Sequence, residues 1–540
     1  MSLLGLFEIG RSAIAASQTA INTTSHNIAN VNTPGYNRQE VILSIASPVA
    51  LGSNSYLGRG VSVEAIRSSY DQFLQAQLVG QQQVSGRSTV LSQSLGQVEQ
   101  VFNEVQGMGM GSYLADYFNS WNDVAMNPGS QPERTLLLQK ATSLVQVAGQ
   151  VENSIKDSLS VVNKSIGDVV SRVNAIASNI AKLNGSILQA EGGSNSGSAN
   201  DLRNQRDMLM TQLADLTEYS SYVNPDGTVG INVGMRNLVN GDKTNTLQNV
   251  MNNDGNQDIY LDNVKITSNI TKGQLGGLIA SNSSIQSGPL LSIRRLIASI
   301  TQEVNIQHRA GFDLNGAAGG DFFNNLQLNV KNVSAGLSIT LPADVSTMAL
   351  NDYKIQFDGT GANYSVINMQ TGAATAPAAY VSGNPISFGG ITVTVSGAAA
   401  ANDSITVSPL TDAIKNFGVA ISDPNKVAAS SNAAEVPGNN SNALLMAGMS
   451  DSSVTNLGGT TFSDYYGGIV STIGTVSAAA ADSLKFDNAV LADVKNKREA
   501  ASGVSLDEEA ANLIKFQRSF EAGARMIKTA DELMQTILNM

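Results

Sequence analysis

The stretch SLDEEAANLIKFQRSFEAGARMIKTADELMQTILNM (505–540) decides how the rest of the chain is read. Every seventh residue in it is large and apolar: Leu506, Leu513, Phe520, Ile527 and Met534. That repeat is the one kept by helices packed side by side. Ser505 followed by Glu508 has the spacing of a capping box, and Asp507 and Glu509 suit the positive end of a helix dipole. No proline interrupts 506–540. A single helix about 50 Å long is therefore predicted, with no following chain in this sequence to cover its stripe.

The opposite end has the same pattern. Phe7, Ile14, Ile21 and Ile28 again fall every seventh residue, flanked by Leu3, Leu6, Ala13 and Ala20. Two seam helices thus stand at the two chain ends. Pairing with each other would close one side of each. Their ridges are more extensive than a lone pair can cover, so these nine residues are expected to pack against further copies of the chain. The ends are expected to order on assembly.

The first helix should stop at Asn30, Asn32, Pro34 and Gly35, residues that end helices and make tight turns. Thr33 lies within that turn and Tyr36 leads out of it into an extended Val41–Leu43. The text NIANVNTPGYNR (27–38) resembles the N-terminal signature of bacterial flagellar rod, hook and hook-associated proteins. The C-terminal SGVSLDEEAANLIKFQ (502–517) is similar to the matching end of that superfamily, and closest in wording to its hook-associated family at the hook–filament junction. The resemblance implies a structural component of the bacterial flagellum, built into a junction tier by self-assembly through the terminal helices. It also implies export through the flagellum's type III pathway to an extracellular location. The partners implied are copies of the chain, hook protein, the next hook-associated junction protein, and an export chaperone on the C-terminal helix. The alternatives are another axial protein of hook or distal rod type, or an adhesive surface protein built on the same scaffold.

Composition is compatible with that picture. A chain of 540 residues has room for several domains. Charged residues are only 14%, so Ser, Thr, Asn, Gln and Gly must carry much of the surface. The net charge is −12 with no basic run, which argues against nucleic acid as a partner. Cysteine is absent, excluding disulfides and thiolate metal sites. The opening MSLLGLFE lacks the basic region of a secretory signal, so export without a cleavable signal peptide is expected. No apolar run reaches the roughly 18 residues of a membrane span.

A search for chemistry finds little. His26 and His308 lie far apart in the sequence, so no histidine cluster for zinc is expected. No phosphate-binding loop, zinc-protease or serine-hydrolase motif occurs. Asp313-Leu-Asn315-Gly316 resembles part of a calcium loop without the acid required at its twelfth position, and reads as a turn. Met526, Met534 and Met540 read as packing material. No catalytic residue, cofactor or metal is expected, and the chain is not expected to be an enzyme.

Between the ends, a helix is predicted from near Tyr70 to about Val105, broken by glycines at 107–111. A short helix carries Leu114, Phe118 and Trp121. After the turn Asn127-Pro128-Gly129, Ser130, Pro132 and Glu133 start a helix of unusual regularity. Ile155, Leu159, Val162, Ile166, Val169, Val173, Ile176, Ile180, Leu183 and Ile187 alternate steps of four and three, which predicts a coiled-coil-like rod. Its spacing does not distinguish a partner in this chain from one in another copy; helices at 70–105, 201–217 and 290–308 offer partners within the chain and are the expected ones, and 192–198 is a flexible loop. Hairpins are predicted over 219–270, helix over 275–309, and short alternating strands of a small sandwich or barrel over 327–410. Residues 411–462 are polar and weakly patterned, and a last body helix covers 464–500.

The fold class is mainly α with inserted β: an elongated, nested multidomain chain of terminal coiled-coil helices, a helical-bundle body and a β-rich insert. The expected partition is 1–66 with 503–540 as the terminal core and linker, 67–326 with 411–502 as the body, and 327–410 as the outer β domain.

Overall fold

The computed structural model describes residues 3–52, 55–103, 109–192, 199–252, 255–331, 333–334, 336–342 and 345–539. Val105, residues 107 and 108 of the break at 107–111, most of the loop at 192–198, and Met540 lie outside the described residues.

Helix α1 (Leu3–Ala29) is followed by a turn and a long hairpin of β1 (Gln39–Ile45), β2 (Val49–Gly52), β3 (Ser55–Leu57) and β4 (Val61–Ser68). β1 pairs antiparallel with β4 from Gln39–Ser68 to Ile45–Val61, and β2 with β3 beyond them. Helix α2 (Gln72–Phe102) is capped by Asp71, whose carboxylate accepts from the amides of Phe73 and Leu74 at 2.8 and 3.1 Å. It ends at Phe102, short of the expected Val105, with Asn103 at its C-cap. Much of its buried face is polar or small: Gln83, Ser85, Ser88 and Ser94. These side chains fit a buried face because they find partners. Gln83 donates to the Tyr219 carbonyl at 3.0 Å, for example, and Ser85 to Asn488 at 2.8 Å.

Helix α3 (Met110–Met126) buries Leu114, Phe118 and Trp121. Helix α4 (Gln131–Glu191) runs 61 residues without a break, a rod of about 90 Å. Of its regular seam, Ile176 and Leu183 are half-buried and the other eight residues are buried. The rod packs within its own chain, on α3, on α2, on α5 (Asn200–Leu216) and on the sheets that follow. Those are a four-stranded meander, β5 (Ser220–Val223), β6 (Val229–Val233), β7 (Arg236–Asn240) and β8 (Lys243–Thr244), and a second sheet of β9 (Leu247–Met251), β10 (Gln257–Leu261) and β11 (Val264–Lys265). Two asparagines of the rod hold them. Asn184 accepts from the Val229 amide at 3.2 Å and donates to the Val229 and Gly241 carbonyls at 2.8 Å. Asn174 bonds both backbone groups of Leu247 at 2.9 Å.

Helix α6 (Gly273–Ile285) passes through a π-helical turn (Gln286–Leu290) into α7 (Leu291–Arg309). Pro289 lies in that turn; it has no amide to donate, and the wider winding accommodates it. The insert is a sandwich. Strands β12 (Asn329–Lys331), β13 (Leu337–Thr340), β14 (Tyr353–Phe357), β15 (Asn363–Asn368), β16 (Ala378–Ala379), β17 (Pro385–Phe388), β18 (Ile391–Gly397) and β19 (Ser404–Ser408) form two sheets, in the orders β12-β19-β14-β15-β16 and β13-β18-β17. Ile355, Val393, Val395, Ile405 and Val407 fill its core with no exposure, the inward half of each alternating pattern.

The weakly patterned stretch after the sandwich is ordered. It buries Ile414, Phe417, Val427 and Ala429 and includes α8 (Ser441–Gly448). It closes over an aromatic core of Tyr117, Trp121, Phe322 and Phe323, all fully buried. Such large side chains contribute roughly 1.5–3 kcal/mol each on burial. The stretch has little periodicity because it is held by single polar links. His308 Nε2 accepts the Ala428 amide at 2.9 Å, and Asn442 donates to the Ala428 carbonyl at 2.6 Å.

Helix α9 (Phe462–Ser502), capped by Thr461, lies along α2, and α10 (Leu506–Leu538) lies along α1. The Ser505 side chain accepts from the Glu508 amide at 3.5 Å, as the capping spacing predicts. The molecule is mainly helical with an inserted β sandwich, and its two ends are brought together.

Candidate assembly site at the chain ends

Helices α1 and α10 run antiparallel, with Gly10 beside Ile527 and Asn27 beside Glu509. The buried residues of the pair are small or polar: Gly10, Ala16, Ser17, Ala20, Thr23, Thr24 and Asn27 on α1, and Glu509, Gly523 and Ala530 on α10. Gly10 and Gly523 face each other, and a Cβ on Gly523 would lie 3.4 Å from the Gly10 carbonyl oxygen. Glycine permits that approach.

The nine heptad residues fall elsewhere. Phe7 and Leu506 are exposed, at 37% and 52%. Ile14, Ile21, Ile28, Leu513, Phe520, Ile527 and Met534 are half-buried. Ile14 and Ile527 flank the glycine crossing. Ile514, Leu533, Ile537 and Leu538 are exposed on the same helix. A single pair hides its small residues and leaves its large ones at the edges. That is the reverse of a finished two-helix seam, where the large side chains fill the interface.

The turn after α1 is a junction of several elements. Asn27 is buried and uses its whole amide: it donates to the Gln39 carbonyl at 2.9 Å and to Glu509 at 3.1 Å, and accepts from the Gln39 amide at 3.0 Å and the Tyr36 hydroxyl at 2.8 Å. Burial first, then the charges of Asp201 and Glu509, push the Tyr36 phenol above its ordinary range. Arg38 reaches Glu508 at 2.6 Å and Glu509 at 3.8 Å, and also pairs with Glu40. Asn37 donates to Asn204 of α5 at 2.7 Å and accepts from Arg498 of α9 at 2.8 Å. Gln39 donates to Asp201 at 2.8 Å. One turn thus ties α1, α5, α9, α10 and β1 together.

Of the turn residues singled out from the sequence, Asn30 donates to the His26 carbonyl at 3.0 Å and closes the helix end. Thr33 donates to Asn30 at 3.1 Å. Pro34 is exposed, and Gly35 takes a φ of +79° that a side chain would strain. The residues that do the joining are Asn27, Asn37, Gln39 and Arg498, with Glu509, which the sequence marks only as an acid at the start of α10. Three of them lie inside or next to the quoted motif, and polar side chains at a helix exit are the available signal. Below the turn, burial pushes the Asp207 carboxyl up to about 6, against the opposing pull of Arg206, Arg203 and Arg498.

Among the described residues no group of His, Asp and Glu is placed to hold a metal, and no helix is long and apolar enough to cross a membrane. Asp313 spends its carboxylate on a turn, accepting from the Asn315 and Ala317 amides at 2.8 and 2.9 Å. His308 is enclosed, donating to the Gly320 carbonyl at 2.7 Å, and burial lowers its pKa to about 4.

Comparison with known proteins finds relatives in sequence over nearly the whole chain. Residues 7–37 match the flagella basal body rod protein family and 497–540 the flagellar basal body rod C-terminal family. Residues 95–323 match the helical domain of flagellar hook-associated protein FlgK, and 327–409 the D2-like domain of flagellar hook-associated protein 1. The chain is 30% identical to flagellar hook-associated protein 1 of Escherichia coli over 98% of both chains. It is 26% identical to that of Bacillus subtilis, over 100% of this chain and 98% of the relative. The solved flagellar hook junction protein FlgK of Burkholderia pseudomallei superposes with a TM-score of 0.68, at 18% identity, covering 79% of this chain and all of that one; this likeness shows the fold.

Proposed function

Since this chain belongs to the flagellar hook-associated protein 1 family and is a structural protein of the hook–filament junction, we propose that its copies build the junction tier through their terminal helices. Phe7, Ile14, Ile21, Ile28, Leu506, Leu513, Phe520, Ile527 and Met534 are the subunit-packing residues in this reading. The observation that carries it is that none of the nine is buried in the single chain, seven being half-buried and two exposed. Head-to-tail contacts between identical copies generate such a tier.

The terminal pair lines the inside of the tier, the helical body forms the next shell, and the sandwich faces outward. Hook protein and the next hook-associated protein are the axial neighbours. The chain leaves the cell without a cleavable signal peptide, its C-terminal helix covered by an export chaperone beforehand. Its role is mechanical and not enzymatic.

A strain lacking the chain tests this reading. Hooks without filaments, with unpolymerised flagellin shed to the medium, are expected; full-length filaments would refute it. Complementation with Ile21→Asp or Phe520→Asp is expected to fail although the purified variants keep a folded body. Normal incorporation of either variant would remove the terminal ridges from the proposal.

A further inference from the structure

The ribbon of β1 and β4, helix α1 and helix α10 lie side by side at the chain ends. One end of this layer is fixed at Asn27, which bonds both Gln39 of β1 and Glu509 of α10. The other lies near Ser12, whose hydroxyl accepts the Val61 amide of β4 at 3.3 Å, and Gly10, which faces Gly523. All three elements therefore run together for about 20 Å. Ser12 is two residues from both Gly10 and Ile14, about 200° round the helix, so the ribbon and α10 cover opposite sides of α1.

Each flank leaves its outer face open. On the ribbon, Leu43, Ile45 and Val63 are exposed, and Leu43 stands directly opposite Val63. Glu64 is left without a cross-strand partner where the register shifts. It is exposed and has no ion pair among the described residues. The other charges of the ribbon are balanced: Arg67 stands across the strands from Glu40, which pairs with Arg38, and Arg59 pairs with Glu8. On α10, the face turned away from α1 carries Ile514, Arg518 and Arg525, all exposed. Neither arginine has an ion pair among the described residues. Between 510 and 530 the bases Lys515, Arg518, Arg525 and Lys528 oppose the single acid Glu521, in a chain of net charge −12.

We propose that the open face of the ribbon of one copy packs on the open face of α10 of the next. The inference rests on the reading that copies of the chain assemble, and names a pair of surfaces that join them. The charges match in position. Glu64 lies about 10 Å from the Gln39 end of the ribbon, and Arg518 about 13 Å from Glu509 along α10. A free carboxylate of one copy thus meets a free guanidinium of the other, with Arg525 about 10 Å further on for copies set at an offset. Leu43 and Val63 then pack beside Ile514. The contact joins unlike surfaces, and every copy has one of each, so the row of copies continues.

The chain has no native cysteine, so an introduced pair tests the contact without background. Within one full-length chain, Glu64→Cys and Arg518→Cys are separated by α1, roughly 16–20 Å for two packing distances. That is too far to bridge, since a disulfide needs Cα atoms within about 7 Å. Oxidation of purified flagella carrying both cysteines is expected to give a ladder of cross-linked chains, and either cysteine alone no ladder. Glu64→Arg and Arg518→Glu are each expected to lower the number of filaments retained under shear, and the two together to restore it. The melting temperatures of the isolated variants are expected to match the wild type's. No ladder in flagella that contain the chain would overturn the proposal, as would free reaction of Arg518→Cys with a soluble maleimide there, which would place this face on open solvent. So would a double reversal no better than the single ones. Absence of the wild-type chain from flagella would count instead against the assembly reading itself.

Discussion

Gly10 and Gly523 meet nearly backbone to backbone across the terminal helix pair. A Cβ on Gly10 would come within 2.8 Å of Ile527 Cγ1, and one on Gly523 within 3.0 Å of Ile14 Cγ1. Alanine there has offsetting effects, because the contact it crowds is opposed by up to about 1 kcal/mol of helix propensity. A branched side chain cannot be accommodated by a small shift. Gly523→Val is therefore expected to separate the pair and speed trypsin cleavage within α10, while the cooperative melt of the body is unchanged. Trypsin resistance equal to the wild type's would mean the helices do not depend on this crossing.

Asn27 is the next point of failure. Leucine of similar size would strand the Tyr36 hydroxyl and both backbone groups of Gln39, and would leave the buried Glu509 with Arg38 as its remaining partner. Unpaired buried groups cost about 1–3 kcal/mol each, more when charged. Asn27→Leu is expected to release the turn from α10, seen as faster amide exchange at 36–40 with α4 unaffected. Unchanged exchange there would show that the junction is held by other contacts.

Acid should loosen the body through His308. Its folded pKa is depressed to about 4 from an ordinary 6.5. Below 6.5 the unfolded chain takes up a proton that the fold refuses, so the stability present at neutral pH is lost as pH falls from 6.5 toward 4. The loss amounts to about 3 kcal/mol. Asp207 works in the opposite sense, because its raised pKa favours the fold at low pH. The difference in melting temperature between wild type and His308→Gln isolates the histidine. That difference should shrink between pH 7 and pH 4.5; a constant difference would contradict a buried neutral imidazole.

Periodicity made the helices legible in the sequence. The ten-residue seam of α4 and the heptads of both ends are set by spacing alone, and the alternating strands of the sandwich likewise. What stayed hidden is non-periodic. The buried face of the terminal pair is small and polar residues, which a search for large apolar residues passes over. Asn184 and Asn174 stitch hairpins to the rod from positions that look like polar breaks. The stretch after the sandwich buries alanines and is pinned by His308 and Asn442, neither of which leaves a repeating pattern. The joining role of Asn27 and Glu509 depends on residues 482 apart in the chain, a distance no local signal spans.

Amide exchange along α10, compared between the isolated full-length chain and purified flagella, tests the central claim most directly. The half-exposed ridge should leave 506–538 exchanging quickly in the single chain, and neighbouring copies should slow it by orders of magnitude in the assembled flagellum. Strong protection of these amides in the solitary chain, undiminished relative to the assembly, would show that one molecule covers its own ridge.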